Sequence, residues 1–372
     1  MTGPVVLTGG GTGGHIFPMQ AIAEALRDEG VADADMRYVG SRRGQEASLL
    51  GQGAISLTLL PGRGIRRSFS ARALRDNAGA LIALAGAFAS ALVYVRRWRP
   101  RAVVSVGGYA AAAMSTAAVV WRRPLILVDL DATPSATHRI LARFATVRCV
   151  ALGQASERVV VTGAPVRHDL AELDRSPDER LRAKARLTPP IDPERRVVVV
   201  MTGSLGATSV NRATIDLARR WRDRDDVTLV HVTGRRDFSW VMSERPAPGA
   251  LDYRVIEFAD MTTWWAVADL AICRAGATTV AEITVLSLPA ILVPLPGAPG
   301  DHQGYNARAL AAVGAAVVLA DSDCSGEVLA RHADALLDPE VCQEMSRASS
   351  LLAQPDAAAA IARTVLQAAR TP

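Results

Sequence analysis

Lysine is all but missing from this chain: of 42 basic residues one, Lys184, is a lysine and the rest are arginines, a bias that a GC-rich genome accounts for. Cysteine is nearly as scarce. Cys149, Cys273, Cys324 and Cys342 lie far apart, with no CxxC pair and no Cys/His cluster at zinc spacing. That excludes a disulfide scaffold and a structural zinc module, and it suits a reducing cytoplasm. There is no internal repeat, and the first strand and a glycine loop stand where a secretory signal would carry a basic and then an apolar segment. The one long uncharged run, Ala78–Val95, has 18 residues and is rich in alanine. Its Leu81, Leu84, Phe88, Leu92 and Val95 recur at three- and four-residue spacing, which predicts a buried amphipathic helix, with a membrane-surface helix as the alternative, rather than a membrane span.

What remains is an ordinary soluble composition, 49% hydrophobic and 21% charged over 372 residues, a length that predicts two domains. The formal charge of +5 is unevenly spread. Residues 63–101 hold nine arginines, among them Arg63, Arg66, Arg67, Arg96, Arg97 and Arg101, against the single acid Asp76. One local basic surface of this kind points to an anionic membrane rather than to nucleic acid, with Ile65, Phe69 or Trp98 as apolar contacts.

Short Val/Ile/Leu runs alternate with helical stretches throughout, the pattern of parallel strands buried on both faces. Strands are predicted at 5–8, 36–39, 102–106, 125–128 and 158–162, then at 197–201, 227–232, 254–258, 270–273, 290–293 and 316–319. The fold class is therefore α/β, two Rossmann-like doubly wound parallel-sheet domains facing a cleft. The boundaries expected are 1–165 and 166–354, with the helix at about 355–372 returning to the first domain. The charged, proline-rich stretch Pro165–Arg196 reads as the linker.

The motifs follow the strands. Gly9-Gly10-Gly11-Thr12-Gly13-Gly14-His15 closes the first strand and opens a helix, whose N–H groups and dipole suit an anion. It satisfies G-x-G-x-x-G, yet the second strand ends in Ser41-Arg42-Arg43 without the acid that a dinucleotide's ribose requires. His15, at a helix N-terminus that disfavours the imidazolium, is a general-base candidate; bracing the loop or touching an acceptor are its other roles. The second half repeats the device at Thr202-Gly203-Ser204-Leu205-Gly206-Ala207, and again at Arg274-Ala275-Gly276-Ala277-Thr278-Thr279. Glu282, one to two turns into that last helix, can accept both hydroxyls of a ribose. A loop then ends in Asp301-His302-Gln303, followed by Asn306.

This set resembles the MurG family, the UDP-N-acetylglucosamine transferases that convert lipid I to lipid II in peptidoglycan synthesis. GGGTGGHIFP at 9–18, GGY at 107–109, PVR at 165–167, GSLGA at 203–207, RAGATTVAE at 274–282 and DHQGYNA at 301–307 carry the resemblance over almost the whole chain. It implies a GT-B fold and an inverting, metal-independent transfer with no cofactor, at the cytoplasmic face of the membrane. Donor contacts are implied for Thr12, Gly13, Gly14, Gly203, Ser204, Ala277, Thr278 and Thr279, with Arg167 at the diphosphate. Glu282 would hold the ribose, His302 and Gln303 the sugar, and the backbone at Phe258 the uracil. His15 and Asp129 are the implied catalytic groups, and His15, Tyr109 and Asp131 the contacts to an undecaprenyl-linked acceptor.

Departures cluster on the acceptor side. His-Glu-Gln-Asn has become Val128-Asp129-Leu130-Asp131, Ser-Gly-Pro has become Ala111–Ala113, and Ala164 replaces an asparagine; on the donor side Leu205 replaces a glutamine. Asp129 keeps a carboxylate at the family's glutamate position. A MurG-like transferase with another acceptor, a nucleotide-sugar epimerase on the same fold, and a non-catalytic nucleotide-sugar binder are the alternatives.

Overall fold

In a computed structural model, residues 3–10, 13–42, 50, 53–61 and 71–370 are described. The chain divides into two compact units, Met1–Arg167 with Pro355–Pro372, and His168–Gln354.

The first unit is built on a seven-stranded sheet in the order β3-β2-β1-β4-β5-β6-β7. Its strands are β1 (Val5–Thr8), β2 (Met36–Ser41), β3 (Ser56–Leu60), β4 (Ala102–Ser105), β5 (Leu125–Asp129), β6 (Val147–Val150) and β7 (Val159–Val161). Every pairing is parallel. The second unit has six strands in the order β10-β9-β8-β11-β12-β13, again all parallel. These are β8 (Arg196–Met201), β9 (Val227–Val232), β10 (Asp252–Ile256), β11 (Leu270–Cys273), β12 (Ala290–Leu292) and β13 (Val317–Val318). In both sheets strand order reverses beside the first strand, between β1 and β4 and between β8 and β11. That reversal opens a crevice at the carboxyl ends of the strands.

The central strands are unbroken runs of β-branched residues, Val197 to Val200 in β8 for example, and they are buried on both faces by helices. In the first unit Ala87, Ala91 and Val95 of the helix Ala71–Trp98 pack on Ala110, Ala113, Met114 and Ala117 of the helix Tyr109–Val120. Small side chains let the two backbones approach closely. The C-terminal helix Ala357–Arg370 buries Ile361, Ala362 and Val365 and packs on the helix Gly13–Asp28. No described helix is long and apolar enough to cross a membrane.

Two strands are absent from the sequence-based prediction. β3 is an edge strand with one fully buried side chain, Leu60, so it lacks a strong apolar run. β6 carries Arg148 in its middle, and that charge is matched in space by Asp129 of β5. The linker reading of Pro165–Arg196 is also corrected. The segment contains the helices His168–Ala171 and Pro177–Arg186 and is fastened to the second unit. Arg175 donates to the carbonyls of Leu286 and Ala268, and Arg180 pairs with Asp269 at 2.6 Å. Lys184 is buried, its ammonium donating to the carbonyls of Pro193 (2.8 Å) and Arg195 (2.7 Å). Polar composition here marks a strap rather than a spacer.

Candidate active site

In the second unit the residues following β8, β9, β10, β11 and β12 gather at one edge of the sheet. The loop after β8 turns at Gly203 (φ +82°) and Gly206 (φ +92°), backbone angles that disfavour a side chain. It lies on the turn after β9: the Arg235 N–H donates to the Ser204 carbonyl at 3.2 Å, and a Cβ on Gly234 would strike the Gly206 nitrogen.

A buried polar chain holds that turn. Asn211 donates from Nδ2 to the Thr233 carbonyl (3.1 Å) and to Asp237 Oδ2 (2.9 Å), so its Oδ1 must accept, and it does so from His231 Nε2 at 2.8 Å. The other ring nitrogen, Nδ1, then accepts from the Tyr253 hydroxyl at 2.8 Å. Burial lowers the His231 pKa to about 3, so the ring is neutral and its tautomer is set. Asp237 closes the chain, accepting from Arg236 and Thr208; the Arg236 hydrogen bond, against a smaller burial effect, lowers its pKa to about 2.

After β11, Arg274 donates to the carbonyls of Val293 and Pro294 and pairs with Asp321 at 2.6 Å. It thereby joins the ends of β11 and β12. Gly276 then caps the helix Ala277–Val285 with no side-chain cap. Its φ of −67° is one any residue adopts, and an added Cβ would meet nothing within 4 Å. The absent side chain therefore keeps open a space in front of uncapped N–H groups. Ala277, Thr278 and Thr279 form the first turn, half-buried. Glu282, one turn on, accepts from the indole Nε1 of Trp265 at 3.0 Å. Asp301 adopts a left-handed φ of +52° and starts the helix His302–Ala311. Gln303 Oε1 accepts from the Leu295 N–H at 3.0 Å, and buried Asn306 donates to the Ala275 carbonyl at 3.1 Å, tying this helix to the β11 loop. Phe258 is 49% exposed past β10, with the Arg235 guanidinium 5.0 Å from its ring centre.

The first unit uses its corresponding edge differently. A Cβ on Gly108 would stand 2.5 Å from the Gly10 carbonyl oxygen, so the two glycine loops abut backbone to backbone. The His15 ring lies across Gly107, its Nε2 3.2 Å from where a Cβ would be. Gly13 and Gly14 begin the helix that carries His15, while Thr12 lies outside the described residues. Arg167 belongs to this unit, stacked 5.5 Å from the Phe17 ring centre.

Two residues with expected roles point inward. Asp129 is 4% exposed; Oδ1 accepts from His138 Nδ1 at 2.7 Å and Oδ2 from Arg148 at 2.7 Å. Burial works to raise its pKa, but the bonds and charges of His138 and Arg148 prevail and hold it below the ordinary value. A sealed carboxylate so engaged takes no proton from an acceptor. His138 also meets Ser105 at 2.9 Å, a Ser-His-Asp order with no solvent access. Tyr109 likewise turns inward, its hydroxyl 2.9 Å from the Pro61 carbonyl. Asp131, just beyond β5, stays half-exposed. Trp265, Asn211 and His231 were not foreseen; a histidine inside the fully buried strand Val227–Val232, where Thr228 is the one other polar residue, was the available signal.

The glycosyltransferase family 28 N-terminal domain matches residues 5–149 and the family 28 C-terminal domain residues 197–361. The chain is 39% identical, over all of both sequences, to the UDP-N-acetylglucosamine--N-acetylmuramyl-(pentapeptide) pyrophosphoryl-undecaprenol N-acetylglucosamine transferase of Alkalilimnicola ehrlichii. It is 35% identical to the protein of the same name from Desulforudis audaxviator, over 95% of each chain. The crystal structure of Acinetobacter baumannii MurG superposes with a TM-score of 0.75 at 27% identity, covering 98% of this chain and 99% of that one. A UDP-GlcNAc 2-epimerase from Neisseria meningitidis shares the fold, with a TM-score of 0.67 at 13% identity over 98% of this chain and all of that one.

Proposed function

This chain belongs to the MurG family within glycosyltransferase family 28, and on that premise we propose that it transfers N-acetylglucosamine from UDP-N-acetylglucosamine to lipid I, giving lipid II. The observation that carries the donor half is the empty space kept at Gly276 before the uncapped helix Ala277–Val285. A diphosphate accepts from those N–H groups and from Ser204, and the helix dipole stabilises the charge that develops as UDP departs. Glu282 takes the ribose hydroxyls, His302 and Gln303 the sugar, and the chain after Phe258 the uracil. With Asp129 sealed, His15 is the group that removes the acceptor hydroxyl's proton as that oxygen attacks the anomeric carbon from the face opposite UDP. Glycine at 107 leaves the room that the imidazole needs.

Attachment to an anionic membrane surface belongs to the same reading. Val93, Val120, Trp121, Ile140 and Phe144 are exposed on neighbouring helical elements of the first unit. Arg96 lies 5.6 Å from the Trp121 ring centre and Arg143 4.7 Å from that of Phe144. Paired aromatic and guanidinium groups suit the headgroup level of a bilayer. Trp98 is not among the exposed aromatics: it stacks on Tyr94 at 4.8 Å beneath Arg37. Arg63, Ile65, Arg66, Arg67 and Phe69 lie outside the described residues.

The test is UDP release from UDP-N-acetylglucosamine in metal-free buffer, with and without a short-chain lipid I analogue. Release only when the analogue is present is the expected result. Release without an acceptor would point to the epimerase alternative, and tight donor binding with no turnover would overturn lipid I as acceptor.

A further inference from the structure

Glu282 is held from outside its own helix. Trp265 is fully buried in the helix Met261–Val267, and its indole N–H, a donor with no acceptor capacity, ends on Glu282 Oε2 at 3.0 Å. The helix that carries Trp265 is itself fixed at both ends. At its start Asp260 caps the Thr262 N–H, and the Thr262 hydroxyl donates to Asp169 at 3.0 Å. At its end the carbonyls of Val267 and Ala268 accept from Arg180, and that of Ala268 also accepts from Arg175. The strap 168–186 therefore holds a rigid post under the carboxylate.

A glutamate has three side-chain torsions to order before it can meet a pair of hydroxyls. Anchoring one oxygen to a buried indole removes most of that freedom before the ligand arrives. We propose that Trp265 is a positioning residue for ribose recognition: through its N–H it fixes the Glu282 carboxylate so that the nucleotide's 2′- and 3′-hydroxyls meet a preset acceptor. This rests on the donor reading above.

The measurement is the affinity for UDP and for 2′-deoxy-UDP, by calorimetry, in the wild type and in Trp265→Phe, which keeps a buried ring and removes the donor. The wild type prefers UDP by about tenfold or more, the usual worth of hydrogen bonds to a charged group. In Trp265→Phe, affinity for UDP falls about tenfold while that for 2′-deoxy-UDP, which keeps only the 3′-hydroxyl, falls clearly less, so the preference narrows. Adding Glu282→Gln to Trp265→Phe brings little further loss, because the two act through one contact. An equal fall for both nucleotides, or no change in either, overturns the proposal, since a merely structural role moves both alike. If Trp265→Phe does not fold, 3-benzothienylalanine at position 265 replaces the N–H by sulfur in the same shape and is held to the same outcomes. A wild type that binds both nucleotides equally removes the ribose role of Glu282 and this proposal with it. One that prefers UDP and retains that preference in the variant removes this proposal alone.

Discussion

Both units fold a glycine loop onto the carboxyl ends of a parallel sheet at the point where strand order reverses, yet they spend the glycines differently. In the first unit Gly108 is glycine because the Gly10 backbone is against it. Polar groups nearby, Tyr109, Asp129, Ser105 and His138, are turned into the protein and satisfied there. In the second unit Gly276 is glycine with nothing against it, and the buried network around His231 and Asn211 lies behind the loops rather than in them. In one unit the described glycines pack backbone to backbone; in the other the loop is built from behind and Gly276 is left with open space before it. A glycine motif alone does not separate these cases, because close approach may be to the protein's own backbone or to a ligand.

Four experiments would break or sharpen that contrast. The largest effect is expected from Asp129→Ala, which leaves His138 and Arg148 facing a vacated site and costs about 3 kcal/mol of stability in urea unfolding. Donor affinity should be untouched; a large rise in the donor dissociation constant would reopen the first unit's edge as part of the donor site. Next, Glu282→Ala should weaken UDP binding by about 2–3 kcal/mol, roughly 30- to 150-fold, with about 1 kcal/mol lost in stability because the buried Trp265 N–H loses its acceptor. Third come two identical substitutions. Gly108→Ala forces a φ of +88° and a backbone clash, so it should cost about 2 kcal/mol in stability. Gly276→Ala should leave stability alone and weaken UDP binding about tenfold, and a well-folded variant with intact affinity would refute the reserved space.

The smallest effect, counted per pH unit, is that of acid. His231 has a folded-state pKa near 3 against an ordinary 6.5, so below pH 6.5 the unfolded chain binds a proton that the folded one refuses. Stability is therefore lost as pH falls from about 6.5 towards 3, by up to about 1.4 kcal/mol per unit. His231→Gln, which retains a donor towards Asn211, should show a shallower fall between pH 6.5 and 4; an unchanged slope would contradict the buried neutral ring.

How much of this was legible in the sequence follows the same division. The Val-rich runs disclosed most strands because parallel strands are buried on both faces, and burial leaves a mark in composition. β6 escaped because Arg148 interrupts it, and the partner that makes an arginine tolerable there, Asp129, sits 19 residues earlier. The loops at the second unit's edge were readable because they are local: Gly203, Ser204, Gly276 and Glu282 each stand beside the strand that presents them. The inward partners of Asp129 and Tyr109 were not legible, because a carboxylate or hydroxyl at a strand end reads the same whether it meets solvent or a buried partner. Trp265 and the strap were invisible for a related reason. Their work is done on residues 17 and about 90 positions away, and no spacing rule registers such pairs.

The burial of Lys184 has a consequence for handling the protein. The ammonium of the chain's one lysine is occupied by two backbone carbonyls inside the second unit. Apart from the amino terminus, the native surface offers no primary amine. Amine-directed dyes, crosslinkers and coupling chemistries will therefore attach at one end of the chain, and rapid labelling of Lys184 will report that the strap has opened.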